Sequence, residues 1–96
     1  MESMSHMVKE FTSDTIKLMV DKPENVDVQV VTSTKAVLIH VKVAECDCGK
    51  VIGRKGRIVE ALTNIITSIK RSKFPADRRE VSIGVLEDET SGFTYQ

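Results

Sequence analysis

Two glycines three residues apart, Gly53 and Gly56, interrupt the helical pattern in the second half of the chain. Glycine disfavours helix and readily takes positive φ, so the two mark a sharp break between two helical segments. Beyond the break, Ile58, Leu62, Ile65 and Ile69 fall at i, i+4, i+7 and i+11, with Ile66 widening the stripe. That spacing predicts an amphipathic helix over 57–71. Before the break, 44–49 is short and polar and leads into Val51-Ile52, which suggests one or two helical turns.

The rest of the chain supplies a helix and three strands. Over 5–21, Val8, Phe11, Thr15, Leu18 and Met19 recur at mostly three- to four-residue spacing, and Ile16 and Val20 broaden the face. Pro23 ends that helix. Val26-Asp27-Val28-Gln29-Val30 alternates strictly, and 36–43 is β-branched and alternating; a turn at 32–35 joins the two as an antiparallel hairpin. Val81, Ile83 and Val85 give a third strand after the loop at 75–79. The order α-β-β-α-α-β predicts an α+β sandwich, a small mixed three-stranded sheet covered on one face by helices. With 96 residues there is room for one domain. We place it at 7–88, with an N-terminal extension over 1–6 and a frayed tail over 89–96.

Charge is distributed unevenly. The net charge is zero, yet 49–79 holds nine basic residues against Glu60 and Asp77, a net of +7 that leaves −7 elsewhere. A localised basic face suits nucleic acid. A solvated helix surface balanced by acids elsewhere in the fold fits the same count. Lys70, Arg71 and Lys73 also suit the negative end of the helix dipole. No run of about 18 apolar residues suggests a membrane span, and the N-terminus lacks the pattern of a signal peptide. Cys46 and Cys48 are too close in sequence to staple a fold. These features lead us to expect a cytoplasmic protein.

The segment Gly49-Lys50-Val51-Ile52-Gly53-Arg54-Lys55-Gly56-Arg57-Ile58 carries the functional signal. Glycine backbone can approach a ligand closely, and the long helix starts just after Gly56, turning its free N–H groups and positive dipole end toward the loop. Arg54 and Lys55 add full charges there, and Lys50 and Arg57 flank it. Such a loop can hold a sugar-phosphate backbone without reading bases. The same two glycines also fit a helix cap at Gly53 and a simple turn at Gly56.

Val51-Ile52-Gly53-Arg54-Lys55-Gly56-Arg57-Ile58 resembles the VIGxxGxxI signature of the KH domain. KH domains clamp about four nucleotides of single-stranded nucleic acid through this loop. The element order resembles the type II KH arrangement. Lys22-Pro23-Glu24-Asn25-Val26 and Val41-Lys42-Val43-Ala44 are similar to the junctions of the small single-KH RNA-binding proteins of bacteria, the KH-domain protein A family. The resemblance covers roughly 7–88. It implies that Gly53, Arg54, Lys55 and Gly56 contact the RNA backbone and that bases lie in an apolar groove, with Ile52 and Ile58 as candidate walls or plain core. It also implies a homodimer, or a heterodimer with a larger KH protein of the Jag type, and a role as a post-transcriptional regulator or RNA chaperone in cell shape and division. The chain departs from the family at Cys48, where an aliphatic residue is usual.

Other chemistry has little support. Cys46-x-Cys48 with His40 and His6 lacks the spacing of a zinc site, so no metal or other cofactor is expected. There is no P-loop spacing and no nucleophile motif, so no enzymatic activity is expected. The competing reading is a KH fold used mainly as a protein-interaction subunit.

Overall fold

The computed structural model describes residues 3–87 and 94–95. Helix α1 spans Met4–Met19, and its first turn is capped by Ser3, whose Oγ accepts the His6 N–H at 3.1 Å. Residues 4–6, assigned to an extension from sequence, are therefore part of α1, and Met4 is buried in the core. Met4, Val8, Thr12 and Ile16 face inward at strict i+4 spacing. This corrects the face expected from sequence: Phe11 is only partly buried and Leu18 is 87% exposed. The helix ends at Met19, short of the expected residue 21. The fully buried carboxylate of Asp47 accepts the N–H groups of Asp21 and Lys22, each at 3.0 Å, and draws the chain out of the helix.

The strands are β1 (Asp27–Thr32), β2 (Ala36–Val43) and β3 (Glu80–Glu87). β1 and β2 form the antiparallel hairpin, with Val28 opposite Val41 and Val30 opposite Ile39. At its turn the Ser33 N–H donates to the Ala36 carbonyl at 2.9 Å. β3 lies parallel to β2, pairing Val37 with Val81, Ile39 with Ile83 and Val41 with Val85. Parallel pairing requires a crossover. Helices α2 (Cys48–Ile52) and α3 (Arg57–Lys73) supply it and cover the inner face. A two-residue strand β4, Thr94–Tyr95, pairs antiparallel with Val85 and Leu86 on the other edge of β3. The remaining residues of the tail expected to fray, 89–93 and 96, lie outside the described residues.

The core is aliphatic. Val37, Ile39, Val41 and Val43 from β2 meet Val81, Ile83 and Val85 from β3 and Val59, Leu62 and Ile66 from α3. The inward stripe of α3 is thus Val59, Leu62, Ile66 and Lys70. Ile58 and Ile65, expected on it, are 37% and 48% exposed. Cys48 packs as a small core residue with its Sγ 3.8 Å from the Ala44 carbonyl, and Cys46 is an exposed thiol.

Candidate nucleic-acid interface

The break between α2 and α3 is a tight, fully specified turn. Gly53 caps α2 by donating its N–H to the Gly49 carbonyl at 2.9 Å, and it has φ 78° and ψ 172°, a region essentially restricted to glycine. One 3₁₀ turn, Arg54–Gly56, follows, closed by the Gly56 N–H on the Gly53 carbonyl at 3.1 Å. Gly56 is left-handed at φ 76° and ψ 14° and delivers the chain into α3. Lys55 is left-handed as well, at φ 57° and ψ 26°; no other non-glycine among the described residues has positive φ. The conformation costs about 1–2 kcal/mol for an L-residue with a Cβ. Strain of this kind concentrates at binding sites.

α3 has no side-chain cap; the Arg57 N–H turns back to the Arg54 carbonyl, and the positive end of the helix dipole lies beside the loop. The side chains of Arg54, Lys55 and Arg57 form no hydrogen bond or ion pair among the described residues. Lys50 is engaged: its Nζ lies 2.6 Å from Asp21 Oδ2, and that hydrogen bond holds its pKa above the ordinary lysine value. Together with the Asp47 contacts, the pair fastens α2 to the end of α1.

Beside the loop, α3 and β3 enclose a groove of about 570 Å³. Its apolar lining includes Val59, Val81 and Ile83, and its polar lining includes Lys55, Glu60 and Asn64. One end is therefore cationic, the middle is apolar, and α3 presents hydrogen-bonding groups along one wall. The proportions suit stacked or splayed bases with a phosphate held at the loop.

Residues 9–83 match the family model described as "KhpA/KhpB, KH domain". This chain belongs to that KH-domain family. Among its relatives, the RNA-binding protein KhpA of Chlamydia trachomatis is 33% identical over 81 residues, covering 84% of this chain and 99% of the relative. The KhpA of Clostridium perfringens is 38% identical over 68 residues, 69% of this chain and 91% of its own. That of Aquifex aeolicus is 39% identical over 64 residues, 67% and 81% of the two chains.

In this KH domain, Gly53, Arg54, Lys55 and Gly56 sit together in one turn, and Arg57 opens α3 directly after it. Ile52 and Ile58 do not line the groove. Ile52 packs on the core, and Ile58 stands behind Gly53. The groove walls escaped the sequence reading. Val59, Glu60, Thr63 and Asn64 lie at the helical repeats that continue the Gly56 face along α3, a spacing that sequence could have offered. The β3 wall, Val81 to Gly84, depends on the parallel pairing and has no local signal.

The basic segment is also less free than its count suggests. Lys70 is buried, donating from Nζ to the Asp77 carbonyl at 2.6 Å and lying 3.5 Å from Asp77 Oδ1. Arg79 Nη2 meets Asp77 Oδ2 at 2.6 Å. The Arg79 side chain first, then its N–H and the Lys70 charge, hold the Asp77 carboxyl well below the usual carboxylate range.

Proposed function

We propose that this protein binds single-stranded RNA without catalysis, laying the sugar-phosphate backbone over the 53–56 turn and placing bases in the groove between α3 and β3. The supporting observation is Lys55, a cation unpaired among the described residues and held in a strained conformation where the groove meets the start of α3. Its relatives' name, RNA-binding protein, points the same way. We further propose a cytoplasmic post-transcriptional or RNA-chaperone role. The test is a fluorescence-anisotropy titration of short labelled RNAs against the wild type and Arg54→Asp/Lys55→Asp, with circular dichroism to establish that both are folded. Aspartate tolerates the left-handed region, so the fold should persist. Loss of binding in the variant supports the reading, and equal binding by both chains overturns it.

A second reading has its own observation. Ile58 and Ile65 expose apolar surface along α3. That surface suits pairing with a second copy or with another KH protein such as KhpB, and a dimer would place two loops on one RNA. Ile65→Lys should shift the sedimentation of a dimer toward monomer; unchanged sedimentation removes this reading.

A further inference from the structure

We infer that the RNA groove ends in a second phosphate-binding site, built from Arg71 and Arg78 at the far end of α3. The inference rests on the RNA-binding reading above and extends it. Val81 lines both the main groove and a second cavity of about 540 Å³, so the two adjoin at that residue on β3. This second cavity is lined by Lys70, Arg71, Arg78 and Arg79 against Asp77 and Glu80, four cations to two carboxylates. Arg79 and Lys70 share the single Asp77 carboxylate. Arg71 and Arg78 are exposed and have no ion-pair partner among the described residues. Lys70 lines the cavity although its side chain is only 3% exposed; its Nζ donates to the Asp77 carbonyl and lies 3.5 Å from Asp77 Oδ1. The cavity is thus left with two guanidinium groups unpaired among the described residues, and their forks match phosphate.

Placement along the helix fits a continuous strand. Along α3, Arg57 to Arg71 is fourteen residues, which is about 21 Å at the helical rise. Among the described residues, Lys55 is the only lysine or arginine lining the main groove, where Glu60 disfavours phosphate. The backbone is thus held at two cationic ends, with bases between them. The loop accounts for about four nucleotides, and the second site takes phosphates beyond these.

Anisotropy titrations with RNAs of about four and about ten nucleotides test this, comparing wild type, Arg71→Gln/Arg78→Gln and Lys73→Gln. Lys73 is an exposed cation at the same helix end that does not line the cavity. Wild type is expected to bind the longer RNA more tightly. The double variant is expected to lose about tenfold on the longer RNA, with a salt slope shallower by about 1.4, and to keep its affinity for the shorter one. Lys73→Gln is expected to match wild type. The second site is overturned if wild type shows no length preference, if the double variant matches wild type on the longer RNA, or if Lys73→Gln loses as much. Binding of the short RNA that depends on Arg54 and Lys55 would then leave the loop reading standing. If wild type binds neither RNA, both readings fall.

Discussion

Ile58 occupies the space that a side chain at Gly53 would need: a Cβ on Gly53 would lie 2.6 Å from Ile58 Cγ1. The turn and the first residues of α3 are thus built around the absence of one carbon. Gly53→Ala meets this clash and the glycine-only backbone together, and the backbone alone costs about 1–3 kcal/mol. Urea denaturation should show a lower midpoint for Gly53→Ala. Adding Ile58→Ala should recover only part of the steric loss, because the Ile58 Cβ itself lies 2.9 Å from that position, and none of the backbone part.

Lys55 separates stability from binding. Replacing it with glycine removes the left-handed strain, about 1 kcal/mol, although glycine's greater freedom in the unfolded chain offsets part of that. Lys55→Gly should therefore melt at or above the wild-type temperature while binding RNA more weakly. Lys55→Val, β-branched in the same conformation, should melt lower. Thermal melts read beside anisotropy titrations check both.

Thr12 is fully buried on α1, and its Oγ1 has no hydrogen-bond partner among the described residues. A buried unsatisfied hydroxyl costs about 1–3 kcal/mol. Valine has nearly the same shape without it. Thr12→Val is expected to raise the urea midpoint, with a gain on the order of 1 kcal/mol.

Asp77 makes stability depend on acid. Its folded carboxyl titrates well below its ordinary value of 3.8, chiefly because of Arg79. A depressed folded pKa adds stability that is fully present above the unfolded pKa and lost as pH falls through the folded one. The stability of the wild type should thus decline below about pH 4. Asp77→Asn should flatten that part of the decline. It should also cost on the order of 3 kcal/mol at neutral pH, because buried Lys70 loses its counter-charge. Denaturation midpoints across pH test both statements.

The strands were legible because their signal is local. Val28, Ile39, Val41, Val81, Ile83 and Val85 all point inward, as their period-two pattern implies. The helix faces were harder. In α1 and α3 the apolar residues cover more than one stripe, and only packing against the sheet selects Met4-Val8-Thr12-Ile16 and Val59-Leu62-Ile66-Lys70. A threonine and a lysine on those stripes are invisible to a hydrophobic pattern. Lys70 is buried because Asp77, seven residues away, comes back to meet it. The turn at 53–56 was legible because two glycines and a following helix fix its place. The groove was not, because its second wall is a strand from beyond the end of α3, brought alongside by parallel pairing with β2.

Whether RNA lies on the loop and in the groove is decided by an amide NMR titration of the protein with a short single-stranded RNA. Shifts are expected to concentrate at Lys55, Gly56, Val59 and Gly84, the loop and the two walls of the groove. Shifts confined to the exposed face of α3 around Ile65, with the loop unmoved, would contradict RNA binding at this site.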